Sequence, residues 1–163
     1  MHRDDKKQIH RYQEVLDRLH QIDMPGQLIQ TTKGILKKRV VDRHFTFTSR
    51  AEAQRAKQQA IEVKREVNIF RRHICEAQKT IRQIYRQRIQ GVGSGSGLTG
   101  TLFGNKQKII QAKAKQKHKH QAERNARLSD YDQMLRQFDA LIYTCDTIRS
   151  DAIDYLSQSK GES

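Results

Sequence analysis

Residues 49–90 read SRAEAQRAKQQAIEVKREVNIFRRHICEAQKTIRQIYRQRIQ, and the placement of their apolar members decides the fold. Ala53, Ala56, Ala60, Val63, Val67, Phe70, Ile74, Ala77, Ile81 and Ile84 follow one another at alternating spacings of three and four. Such a row keeps one face of an α-helix against a partner helix, so the stretch predicts a coiled-coil arm over 49–90. Ser49 and Glu52 form a Ser-x-x-Glu capping box at its start, where side chains satisfy backbone donors that a first helical turn leaves free. At ~1.5 Å per residue the arm is roughly 60 Å long.

The arm runs into Gly91-Val-Gly-Ser-Gly-Ser-Gly-Leu-Thr-Gly-Thr-Leu-Phe-Gly104. Glycine at this density resists a fixed helix, and 91–104 is expected to be a loop at the tip of a helical hairpin. A second arm over 105–158 follows, with Asn105 as its cap and 159–163 as a flexible tail. Leu128, Tyr131, Leu135, Phe138, Ile142, Cys145 and Ala152 mark one seam, which Arg149 interrupts. Met134, Leu141, Ile148 and Tyr155 add a row spaced by seven, so this face is wider than a two-stranded seam needs. Between 106 and 127 the pattern weakens, and bending or fraying is expected there. Folding the arms about the glycines places residues whose numbers sum to about 195 opposite one another, pairing Leu128 with Val67, Leu135 with Ala60 and Ile142 with Ala53.

Upstream, 1–26 predicts an amphipathic helix over 4–23. Ile9, Tyr12, Leu16 and Leu19, widened by Val15 and Ile22, form its stripe. Asp4 and Asp5 complement the dipole at its start, and Met24-Pro-Gly stops it. This helix is the expected cover for the wide face of the second arm. Residues 27–48 are a connector. Phe45-Thr-Phe47 together with Val40 and Val41 favours a small β-hairpin, 35–41 with 44–48, and a helix over 27–39 is the competing reading. The fold class expected is therefore mostly α: a long antiparallel coiled-coil helical hairpin, a short N-terminal helix at its base and a small β-hairpin.

Composition agrees with stripes rather than a thick core. Of 163 residues 35% are hydrophobic and 6% aromatic, and the mean hydropathy is −0.90. The pair Cys75 and Cys145 lacks the Cys-x-x-Cys spacing and reads as two reduced thiols. No apolar window approaches a membrane span, and Met1-His-Arg-Asp-Asp-Lys-Lys opens no signal peptide. A soluble, cytoplasmic protein is expected.

The charge is +14 and unevenly placed. Residues 64–90 and 106–127 hold 16 basic and 3 acidic side chains, while 128–163 hold 3 basic and 7 acidic ones. A basic prong of this kind favours a polyanion. The residues expected to meet phosphates are Arg71, Arg72, Lys79, Arg82, Arg86, Arg88, Lys106, Lys108, Lys113, Lys115, Lys117, Lys119, Arg124 and Arg127. They would read charge and shape, not base sequence. Tyr85, Leu98, Leu102 and Phe103 are the expected tip contacts, by stacking on bases or entering a bilayer interface. Nucleic acid is the leading partner. The alternative is a scaffold or adaptor that binds an acidic protein or an anionic membrane through the tip. Self-association through 128–156 is a further option if the wide face meets a second copy.

Catalytic and cofactor motifs fail on context. Gly95-Ser-Gly-Leu-Thr-Gly100 matches G-x-G-x-x-G in form, but a coiled-coil helix precedes it where the dinucleotide fingerprint needs a strand. Gly104-Asn-Lys106 lacks the spacing and hydroxyl of a phosphate-binding loop. In Lys117-His-Lys-His120 the histidines lie two apart, off a common helix face, and His73 with Cys75 fails likewise. Ser94 and Ser96 sit in glycine, without a base to orient them. No enzyme activity, cofactor or metal is expected.

Overall fold

The computed structural model describes the backbone of residues 3–35, 38–94 and 106–158, and the side chains of most of these. Its elements, in order, are α1 (Arg3–His20), β1 (Gln27–Ile35), β2 (Lys38–Thr46), α2 (Arg50–Ser94) and α3 (Lys106–Gln158). The architecture is mostly α: a pair of long antiparallel helices, a short N-terminal helix and a two-stranded antiparallel sheet. The chain divides into two compact units. One, here the sheet unit, is Tyr12–Arg71 with Arg136–Ser163; the other, the basic unit, is Met1–Arg11 with Arg72–Leu135.

In the sheet unit the core is Leu16 and Leu19 of α1, Ala53, Ala56, Ala60, Val63 and Val67 of α2, and Phe138, Leu141, Cys145, Ile148 and Ala152 of α3. The Phe70 and Phe138 rings stack at 6.3 Å between centroids, and Tyr12 meets Phe70 edge-on at 6.4 Å. α1 is thus a third wall, packed on α2 through Tyr12, with Leu16 and Leu19 buried. An ion pair between Arg18 and Glu66 ties it to α2. Arg149 does not interrupt the packing: Ile148 occupies the seam position and is 1% exposed, while Arg149 faces outward. The buried row on α3 is Tyr131, Met134, Phe138, Leu141, Cys145, Ile148 and Ala152, which draws alternately on both rows anticipated from the sequence.

The helix register differs from the expected sum of 195. Lys64 pairs with Asp146 and Arg71 with Asp139 in the sheet unit, and Gln78 bonds Asp132 in the basic unit. Each pair sums to 210. The heptad stripe cannot distinguish such registers, because an apolar row meets another apolar row at many offsets. Polar neighbours decide. A sum of 195 sets Arg71 against Arg124 and Arg82 against Lys113, whereas 210 sets Arg71 against Asp139. Arg71 and Asp139 are about half exposed, so the pair contributes roughly 0.2–1 kcal/mol. Its main effect is to select among stripes that are otherwise equivalent.

The α2 stripe also changes phase. After Phe70 and Ile74 the buried positions are Gln78, Ile81 and Tyr85, in place of Ala77 and Ile84. Two successive steps of four residues are a stutter, which locally unwinds a coiled coil. Gln78 is tolerated inside because its Nε2 donates to Asp132 at 2.7 Å. α2 continues through Ser94, so Gly91 to Ser94 are helical and not loop as expected. Leu98, Leu102 and Phe103, with the rest of the glycine stretch, lie outside the described residues. α3 is unbroken from Lys106 onward, without the fraying anticipated over 106–127.

The connector is a β-hairpin, not a helix, with strands displaced from those expected. β1 pairs with β2 from Gln27↔Thr46 to Ile35↔Lys38, so Asp42 and Arg43 lie within β2 and are not the turn expected between 41 and 44. The Phe47 ring packs edge-on to Tyr155 at 5.9 Å. Gly26, at φ +115°, lies so close beneath it that a Cβ there would be 2.7 Å from Phe47 Cε1. At the start of α2 the Glu52 N–H donates to Ser49 Oγ at 3.1 Å, as a capping box requires. The Glu52 carboxylate in turn accepts from the Thr48 hydroxyl and the Thr48 N–H, both at 2.6 Å. These bonds, Thr48's hydroxyl first, hold the Glu52 carboxyl below its usual pKa, with smaller help from the Ser49 and Gly26 backbone.

Candidate polyanion interface

Within the basic unit, burial sorts the cations into two groups. Arg127 is only 13% exposed at its side chain. Its Nε donates to Asp5 Oδ2 at 2.7 Å and its Nη2 to Asp5 Oδ1 at 3.0 Å. The Asp5 hydrogen bond raises the Arg127 pKa, against the opposing effect of partial burial. The Tyr131 hydroxyl stands 3.2 Å from Asp5 Oδ1 and 3.1 Å from Gln8 Oε1, donating to one of them at a time. Asp5 therefore does more than complement the dipole of α1. It sits on the buried stripe that continues through Ile9, and it fastens the first turns of α1 to α3.

Tyr85 belongs to the same cluster. It is 3% exposed, with the Arg88 guanidinium 5.2 Å and the Arg127 guanidinium 5.7 Å from its ring centroid. The His120 ring lies 6.5 Å away, tilted. Cations over an aromatic face are held by the ring quadrupole. The structure thus places Tyr85 inside the packing, where its ring is covered by the protein's own cations.

The second group is open. Arg72, Lys79, Arg82 and Arg86 are exposed, and none has an ion pair or hydrogen bond among the described residues. At 3.6 residues per turn their spacings of seven, three and four put them on one face of α2. An open cavity of about 430 Å³ follows that face, lined by Lys79, Arg82 and Arg86 and by the amides Gln83, Gln87 and Gln90. The glutamines are a part of this face that charge counting overlooks, although their matching spacing is visible in the sequence. On α3, Lys115, Lys117 and Lys119 are exposed and Lys113 and Arg124 half-buried. Arg124 donates to Asn125 Oδ1 at 3.1 Å. Lys106 and Lys108 open α3, and their side chains lie outside the described set. Arg71 belongs to the sheet unit, where Asp139 neutralises it.

The arrangement offers fixed positive charge beside neutral amides. Cations three and four residues apart on one helix face have Cβ atoms roughly 5–6 Å apart, so several can meet successive negative groups of a polymer. Among the described residues no three His, Cys, Asp or Glu side chains converge as a metal site would require. Among them, too, no helix is long and apolar enough to cross a membrane. Compared with protein-family models, with curated proteins and with solved structures, the chain matches none of them.

Proposed function

We propose that the protein is a non-enzymatic, basic helical-hairpin interaction protein of the cytoplasm that binds nucleic acid by charge and shape. One observation carries the reading: some cations of the prong are held in ion pairs within the chain, and another set on one face of α2 is left open. Asp5 engages Arg127, while Arg72, Lys79, Arg82 and Arg86 face outward together with no ion pair among the described residues and Glu76 as the one acidic side chain of α2 among them. A merely solubilising surface would mix the two signs. An open, like-charged row repels itself unless counterions or a polyanion screen it, and release of those counterions drives binding to a phosphate backbone. Gln83, Gln87 and Gln90 supply neutral donors and acceptors beside the phosphates.

The test is fluorescence anisotropy with labelled duplex and single-stranded DNA and RNA of mixed sequence over a salt series. Affinity is expected to fall steeply with salt, along a log–log line whose slope reports the number of phosphates neutralised, and to vary little with base sequence. Absent or salt-independent binding removes the reading.

A further inference from the structure

The sheet unit holds one edge of its hairpin and leaves the other open. In an antiparallel ladder, opposed residues alternate between pairs that exchange N–H···O=C bonds and pairs whose backbone groups point away from each other. The Phe45 N–H donates to Asp151 Oδ2 on α3 at 2.7 Å, so Phe45 and its partner Leu28 are a pair of the second kind. That sets the phase of the whole ladder. Leu28, Gln30, Thr32 and Gly34 direct their backbone donors and acceptors outward along β1, opposite Phe45, Arg43, Val41 and Arg39. On the other side Asp151 secures β2, with His44 Nδ1 3.7 Å from the same carboxylate. Among the described residues no third strand lies beside β1.

An open strand edge is a template for another strand, and single edges are usually protected by charge or proline. β1 reads Gln-Leu-Ile-Gln-Thr-Thr-Lys-Gly-Ile, with Lys33 as its one charge, whereas β2 carries Lys38, Arg39, Asp42 and Arg43. Two-stranded ribbons are also marginal on their own, and further strands stabilise them.

We infer that β1 pairs antiparallel with β1 of a second copy of this chain, forming a four-stranded sheet across a two-fold axis. A strand that meets itself antiparallel is self-complementary, so the contact closes at two copies and does not propagate. Centred on Thr31, the register pairs Leu28 with Gly34 of the second copy and Gln30 with Thr32 of the second copy. All four outward residues of each strand then exchange bonds. Charge favours this occupant. Lys33 of each strand meets Ile29 of the other, so no like charges oppose, and the exposed Ile29 gains a cross-strand side-chain neighbour. Contact through β2 would instead bring together the strands that carry three cations each.

Sedimentation equilibrium of the full chain, in enough salt to screen its charge, is expected to show monomer and dimer exchanging at concentrations up to roughly 200 μM. Gln30→Pro removes one outward N–H and no hairpin bond, and is expected to weaken the dimer at least about tenfold, while Gln30→Ala leaves it unchanged. Hydrogen exchange gives a reading that does not depend on either variant folding. The amides of Leu28, Gln30, Thr32 and Gly34 should exchange more slowly as concentration rises, while that of Phe45 stays constant. A chain that remains monomeric, or exchange at those four amides that ignores concentration, overturns the proposal.

Discussion

The Arg127 guanidinium donates to both carboxylate oxygens of Asp5, at 2.7 and 3.0 Å, with each side chain nearly nine-tenths covered. The pair joins the first turns of α1 to α3, and Tyr131 stands beside the same carboxylate. Removing one member leaves the other charge covered and uncompensated, which costs far more than a surface pair. Asp5→Ala is expected to lower the urea-unfolding free energy by about 3 kcal/mol. The double variant Asp5→Leu with Arg127→Met should recover most of that, since an apolar pair of similar size leaves no stranded charge. Equal losses in the single and double variants would mean that the cost is packing and not electrostatics.

Acid should weaken the protein partly through Glu52. Its folded pKa lies below the usual 4.5, because the Thr48 hydroxyl and the Thr48 amide hydrogen-bond its ionised form. A depressed carboxyl contributes stability that is present above the unfolded pKa and lost as pH falls through the folded one. The wild type should therefore exceed Glu52→Gln in stability at neutral pH, with the gap closing once pH drops below 4.5. Arg127 adds no such dependence at ordinary pH. Its pKa is raised further by the Asp5 hydrogen bond, so the guanidinium stays charged well into the alkaline range.

The two thiols should differ in reactivity. Cys75 is exposed and Cys145 buried. Burial, with Asp146 adjacent, pushes the Cys145 thiol up to about 11, so its nucleophilic thiolate is scarce at pH 8. Titration of the native chain with a thiol-specific disulfide reagent should release about one equivalent quickly, and a second only after denaturant is added.

Glycine substitutions should separate in sign. Gly26 has φ +115°, and a Cβ there meets the Phe47 ring at 2.7 Å, with that ring already held edge-on by Tyr155. Gly26→Ala is expected to cost about 1–3 kcal/mol. Gly91 is helical and has open space where a Cβ would sit, so Gly91→Ala should stabilise by roughly 0.5–1 kcal/mol. Thermal melts of the two variants test both directions.

Three long-range features escaped the sequence for one physical reason. Apolar spacing locates α1, α2 and α3, because burial of one face imposes a period of 3.6 on any helix. It is blind to offset. Phe70 stacks on Phe138, where the apolar rows alone had set Val67 against Leu128. The deciding signal was present as a second heptad row: Lys64, Arg71 and Gln78 on α2 against Asp132, Asp139 and Asp146 on α3. Tyr85 and Asp5 were misplaced for a related reason. A tyrosine among arginines reads as exposed until its neighbours are known to be cations packed on its ring, and an aspartate at a helix start reads as dipole compensation until Arg127 is found beside it. Of the cations marked for phosphate contact, Arg72, Lys79, Arg82 and Arg86 stand open, whereas Arg71 and Arg127 are neutralised within the chain.

That division gives the sharpest test of the nucleic-acid reading. Replacing Lys79, Arg82 and Arg86 together with glutamine removes three open charges without touching a seam residue, so the fold should survive, as far-ultraviolet dichroism and melting would show. Each lost phosphate contact lowers the log–log salt slope for duplex binding by about 0.9, so the triple variant should lose nearly three units of slope together with affinity. Arg71→Gln removes the same kind of charge from a residue already engaged by Asp139. It should leave the slope within error of the wild type. If Arg71→Gln flattens the slope as much per residue as the triple variant does, the interaction follows net charge alone and the α2 face has no special part in it.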